Sequence, residues 1–175
     1  MAVNRNMLFL LILFIAKILA GENIDEPQTC IDLLEAENQD ECCESLKIFK
    51  PFDEIMEECT QKDSKEFNCA DYTCVLNKKG LLKDDKIDDV AVKTFFAGIA
   101  EKYPEEMVVI DKMGVACFSE KYNNYQFVEE RCPAISFYVC AYISVLLECT
   151  SWKETADCKK ISQNAKNCKS EIQKS

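Results

Sequence analysis

Twelve cysteines in a chain of 175 residues constrain this protein more than any other feature. The number is even, which reads as a disulfide framework of up to six bridges in a secreted chain. Each bridge contributes about 2–4 kcal/mol, mainly by restricting the unfolded chain. Zinc is the competing use of cysteine, but the sequence has no C-x2-C pair and an oxidising compartment disfavours free thiols. The first residues point to such a compartment. In "MAVNRNMLFLLILFIAKILAG", Arg5 precedes an apolar run from Met7 to Ala16, and the small residues Ala20 and Gly21 come after it. This is the layout of a secretory leader. The run is too short for a membrane anchor, and Lys17 separates it from the apolar residues beyond. The expectation is a leader over residues 1–20, then one extracellular domain over 21–175 with no membrane span. All twelve cysteines fall in that domain.

Charge and composition exclude several functions. Residues 1–20 hold two basic and no acidic residues, which leaves 19 basic against 31 acidic, a net charge of −12. No basic stripe for nucleic acid or anionic lipid is present. No N-x-S/T sequon occurs, so N-glycosylation is not expected. Histidine is absent altogether. That removes Ser-His-Asp and Cys-His catalysis, a His-based zinc site and a His-based pH switch.

Helical character runs through the domain. Helices are expected over 28–48, 51–60, 67–79, 88–102, 104–118, 133–148 and 153–168, with 119–131 a loop or weak helix and the ends, 21–27 and 170–175, loose. Pro51, Pro104 and Pro133 suit first helical turns. Lys78 and Lys79 followed by Gly80 make a helix stop. Strand alternation bounded by Asn-Gly or Asp-Gly turns is not seen. The most apolar stretch, "CPAISFYVCAYISVLLEC" at 132–149, has 14 apolar residues of 18. On a helix, nine residues at about 100° each place Cys140 and Cys149 on opposite sides. Phe137, Ile143 and Leu147 share the side of Cys140, and Tyr138, Ala141, Tyr142 and Val145 share that of Cys149. A helix tied from both sides runs through the middle of the fold and is apolar all round.

The cysteine order resembles that of insect odorant-binding proteins. The gaps run from Cys42 or Cys43 to Cys69, Cys74, Cys117, Cys140 and Cys149, with 42 residues between Cys74 and Cys117 and a closing C-x8-C. "ECC", "CVLNKKGLL" after Cys74, and a long tail with two more cysteines are similar to the twelve-cysteine Plus-C subgroup. The likeness covers about residues 40–168, nearly the whole domain. Three features depart from that pattern: "CADYTC" has four residues between its cysteines instead of three, Thr150 stands where a proline follows the sixth cysteine, and histidine is missing.

The resemblance implies an all-α, single disulfide-crosslinked domain of about six to eight helices around an apolar pocket. It implies pairings first–third, second–fifth and fourth–sixth. On the chosen six these are Cys43 (or Cys42) with Cys74, Cys69 with Cys140, and Cys117 with Cys149. Cys30, Cys59, Cys132, Cys158, Cys168 and the spare one of Cys42 and Cys43 then allow fifteen connectivities, none preferred. It also implies a secreted, non-catalytic carrier of a small hydrophobic ligand, with a chemoreceptor or a second copy of the chain as further partners and no cofactor.

Candidate pocket residues are Phe95, Phe96, Ile99, Met113, Phe118, Phe137, Tyr138, Ala141, Tyr142 and Val145, although a residue of this kind is more often plain core than ligand contact. The pairs Glu57-Glu58, Glu105-Glu106 and Glu129-Glu130 do not converge on a helix, so no acid–base site is expected. "KDDKIDDV" lacks calcium-loop spacing and reads as a loop and a helix start. Two other classes compete: a secreted protein-binding factor without a pocket, which an exposed apolar patch would favour, and a saposin-like lipid-active protein, which the acidity disfavours.

Overall fold

The computed structural model describes residues 28–60, 68–125, 128 and 130–173. The expected leader 1–20, the segment 21–27, Glu129 and residues 174–175 lie outside the described residues.

Among the described residues, eight α-helices carry the fold. They are α1 (Gln28–Leu34), α2 (Gln39–Cys42), α3 (Lys50–Cys59), α4 (Cys69–Lys78), α5 (Asp89–Lys102), α6 (Met107–Cys117), α7 (Pro133–Leu147) and α8 (Ala156–Ile172). Three 3-10 turns, Glu44–Phe49, Pro104–Glu106 and Lys121–Asn124, link them. The domain is all-α and crosslinked by six disulfides.

The expected helix over 28–48 breaks into three pieces. Asn38 adopts left-handed φ of 60°, which turns the chain between α1 and α2. The buried Gln39 side chain then does two jobs. Its amide nitrogen donates to the carbonyls of Leu33 and Leu34, closing the end of α1. Its oxygen accepts from the Tyr142 hydroxyl at 2.6 Å.

α4 starts on Asn68, whose side chain accepts from the Asp71 N–H at 2.9 Å, an N-cap. It ends in a Schellman motif, with Gly80 N–H on the Asn77 carbonyl and Leu81 N–H on that of Leu76, both at 2.9 Å. Gly80 supplies the φ of +67° that the motif needs. The loop expected in "KDDK" is a small hairpin: Leu82–Lys83 (β1) pairs antiparallel with Lys86–Ile87 (β2). Asp84 and Asp85 both take positive φ, 51° and 59°, the two-residue turn that suits the twist of a hairpin. Asp is tolerated there, so the absence of glycine hid the turn.

α7 is the centre of the molecule. Eleven of its residues are buried, including Ile135, Phe137, Cys140, Ile143 and Leu146. Pro133 opens it at a position where a missing N–H costs nothing. α6 packs against it on one side and α4 on another. Three crosslinks hold it: Cys132 to Cys69, Cys140 to Cys117, and Cys149, just past its end, to Cys43. Cys140 and Cys149 do tie to different partners.

The three implied pairings are not the ones found. Cys43 bonds Cys149, not Cys74; Cys69 bonds Cys132, not Cys140; Cys117 bonds Cys140, not Cys149. The remaining bridges are Cys59–Cys74, Cys42–Cys158 and Cys30–Cys168. The interleaved order first–third, second–fifth, fourth–sixth is nevertheless present. It falls on Cys59, Cys69, Cys74, Cys117, Cys132 and Cys140. The other three bridges nest around it, Cys43–Cys149 inside Cys42–Cys158 inside Cys30–Cys168.

Geometry explains the shift. Cys69 and Cys74 are five residues apart on a regular helix, so they diverge by about 140°. One reaches the start of α7 and the other reaches α3, and no bulge is needed. Cys149 lies on the strand-like tail after α7. That tail runs back along Cys42–Glu44, with Lys153 N–H on the Cys42 carbonyl at 2.9 Å and a bridge between Cys43 and Trp152.

Candidate binding groove

α5 and α6 are antiparallel neighbours that diverge enough to leave a groove of about 820 Å³ between them. Their far ends are joined by Tyr103 and the 3-10 turn Pro104–Glu106. Their near ends are pinned by Asp89, whose carboxylate accepts the Ser119 N–H at 3.1 and 3.2 Å. Lys47 ties the far turn to the body through Glu105 at 2.6 Å and the buried Glu106 at 3.1 Å.

Small residues open the groove. Ala97 and Ala100 on α5 face Gly114 on α6, and Phe96, Ile110 and Phe118 form apolar walls. A Cβ on Gly114 would stand 2.8 Å from the Phe118 ring, so the bare backbone of Gly114 is what lets that ring lie against α6. The ammonium of Lys93 sits 5.5 Å from the same ring's centroid, a cation–π contact. At the rim, Met107 and Val115 are 50% and 71% exposed, and Val108 on the outer face of α6 is 64% exposed. α6 therefore keeps large apolar side chains on its solvent side as well as in the core.

Of the ten residues expected in the pocket, Phe96 and Phe118 line this groove. Ile99 and Met113 are on the same two helices but are buried behind it. Phe137, Ala141 and Val145 are buried on α7, Phe137 edge-on to Tyr122 at 6.1 Å. Phe95, Tyr138 and Tyr142 belong to an aromatic cluster with Phe49, Phe52 and Tyr72. Its centroid distances include 5.1 Å for Phe52–Phe95, 4.7 Å for Tyr72–Tyr138 and 6.0 Å for the stacked Tyr138–Tyr142 pair. Such pairs contribute about 0.5–1.5 kcal/mol each beyond area burial.

Burial pushes the Tyr138 phenol well above its usual range, helped by the neighbouring Tyr72, Tyr142 and Asp53. Burial likewise raises Tyr142, with Asp40 and Asp53 adding to it. Both hydroxyls therefore stay protonated at neutral pH. Burial raises the Asp53 carboxyl, Asp40 adds to the shift, and Lys50 opposes it.

Sequence reasoning missed Lys93, Ala97, Ala100, Met107, Ile110, Gly114, Val115 and Lys121, which line the groove. One signal was present. "MVVIDKMGVACF" is apolar on too many sides for a helix with a single buried face.

Among the described residues no cluster of three or more Cys, Asp or Glu is placed to hold a metal ion. Among the same residues no helix is long and apolar enough to cross a membrane. The fold and the groove together define an all-helical, disulfide-crosslinked domain with an apolar cleft in its surface. No protein-family model, no curated protein and no solved structure matches the chain.

Proposed function

We propose that this is a secreted, non-catalytic carrier that holds a small hydrophobic molecule in the α5–α6 groove. It is of the odorant-binding type with the twelve-cysteine Plus-C pattern. The observation that carries the reading is the groove, apolar on both walls and about 820 Å³ in volume. That lies within the range of about 300–1,000 Å³ typical of small-molecule sites. Two features support the family type: the interleaved order of six cysteines and the all-helical domain they crosslink. Secretion is supported by six disulfides and no free cysteine among the described residues. A chemoreceptor or a second copy of the chain would be the partner of such a carrier.

A specific observation favours a second reading, a secreted protein-binding factor. Val90, Met107, Val108 and Val115 are exposed apolar side chains on the two helices that frame the groove, and exposed apolar surface commonly marks a protein interface.

One experiment separates the two. The full coding chain is expressed in insect cells, and the oxidised protein is collected from the medium. It is then titrated with the apolar fluorophore N-phenyl-1-naphthylamine. The carrier reading expects saturable one-site binding that Ala97→Trp, which fills the groove from an exposed wall position, abolishes. Absence of saturable binding by the folded protein would sink it and leave the protein-binding factor.

A further inference from the structure

The groove is electrically polarised along its length. Because Asp89 at the start of α5 meets Ser119 just past α6, Lys93, Phe118 and Lys121 share one end. Glu101, Pro104 and Met107 share the other, and Asp111 stands one helical turn along α6 from Met107. Both lysines are held in place by the groove wall itself. Lys93 rests over the Phe118 ring at 5.5 Å, and Lys121 Nζ donates to the Val115 carbonyl at 3.0 Å.

Neither lysine has a carboxylate partner among the described residues, although Lys47, Lys78, Lys112, Lys159 and Lys169 all do. Most of the described lysines lack such a partner, so what sets these two apart is position: both line one end of the apolar groove. Asp89 at that end accepts the Ser119 N–H. Glu120 is adjacent in sequence and exposed.

We infer that the groove selects an anionic amphiphile, a medium-chain carboxylate, with its head between Lys93 and Lys121 and its hydrocarbon tail running toward Met107. The inference rests on the carrier reading and adds the ligand's head-group chemistry and its direction. Lys93 and Glu101 are eight residues apart on α5, about 12 Å along the axis, which leaves length for an extended tail. The tail meets Ala97, Ala100, Ile110 and Met107 and displaces water from their surface. A neutral chain of the same length makes the same tail contacts without the head-group attraction. A cationic head at the lysine end is repelled. Reversed, it would lie near Glu101 and Asp111, and the ammonium compound tests that orientation.

The test is displacement of N-phenyl-1-naphthylamine from the full-length secreted protein at pH 7.5 by dodecanoate, dodecanol and dodecyltrimethylammonium. It is run with the natural chain and with Lys93→Gln/Lys121→Gln, at low and high salt. Two partly exposed ion pairs predict about a fivefold preference for dodecanoate over dodecanol at low salt. The preference shrinks with salt and is lost in the double variant, in which dodecanoate and dodecanol displace the probe equally. Equal displacement by acid and alcohol, a preference for the ammonium compound, or a preference that survives in the double variant would overturn the head-group assignment while leaving the carrier reading standing. No saturable probe binding by the folded protein would overturn both. Circular dichroism of the double variant checks that it folds.

Discussion

A Cβ placed on Gly114 would stand 2.8 Å from Cε2 of Phe118. That single contact shows how the groove is built. Phe118 follows α6 in extended backbone, and its ring folds back over the helix where Gly114 leaves room. Gly114→Ala forces the ring off the helix and toward the space where a ligand would lie. Alanine favours the helix by about 1 kcal/mol over glycine, and moving the ring off its rotamer costs about as much. The expected outcome is a several-fold loss of probe affinity with little change in the urea midpoint. A parallel loss of stability and affinity would mean that Gly114 serves packing only. Nothing in the local sequence announces this role: Gly114 sits inside a helical pattern with no turn signal, and its reason is a ring four residues on.

At the scale of elements, α7 was legible and the crosslinks were not. Its all-round apolar character and the opposed positions of Cys140 and Cys149 place it at the centre, and it is there. None of the three implied pairs forms, and the interleaved order occurs on a different six cysteines. The six cysteines of the implied pairs were chosen by gap length, and the C-x8-C from Cys140 to Cys149 drew the frame one element too far along the chain. Cys69 and Cys74 diverge by about 140° on α4, one bonding Cys132 at the start of α7 and the other Cys59 on α3.

Peptide mapping of the oxidised protein should recover Cys59–Cys74, Cys69–Cys132 and Cys117–Cys140, and a Cys43–Cys74 peptide would refute the arrangement. The outer bridge Cys30–Cys168 spans 138 residues, yet the bridge inside it already closes most of that loop. Only a loop of roughly 20 residues is left for it to restrict, worth about 3 kcal/mol. Replacing both cysteines with serine should therefore speed amide exchange in α1 and α8 and leave α7 protected. Loss of protection throughout α7 would show that the outer bridge holds the core as well.

Over the whole molecule, charge knits together three helices. Glu148, just past α7, accepts from Lys112 on α6 at 2.5 Å and from Lys169 on α8 at 2.6 Å. Burial works to raise its carboxyl, but these two hydrogen bonds outweigh it and hold the group below its usual range. A carboxyl lowered on folding adds stability that is present above its unfolded pKa and is lost as pH falls through the lower folded value. Glu148→Gln should cost about 1 kcal/mol at neutral pH, since each partly exposed pair is worth about 0.2–1 kcal/mol. It should also flatten the acid limb of the stability curve, measured by urea unfolding between pH 7 and pH 3. An unchanged acid limb would mean that other carboxylates carry it.

The groove emerges only at this scale. Its walls come from two helices, its closure from Asp89 and Ser119 thirty residues apart, and its space from three small residues that have no sequence signature. Reading residues for aromatic and aliphatic character found Phe96 and Phe118 but gathered the rest from the core around α7. Core and cleft use the same residue types, and only packing separates them.

The most direct test of the carrier account is a chemical-shift map of the isotope-labelled, oxidised protein titrated with dodecanoate. The account expects saturable shifts concentrated at Phe96, Ala97, Ala100, Gly114 and Phe118, with Tyr138 and Tyr142 undisturbed. Shifts centred on the aromatic cluster around Tyr138 would place the ligand inside the core and contradict it, as would the absence of any saturable shift.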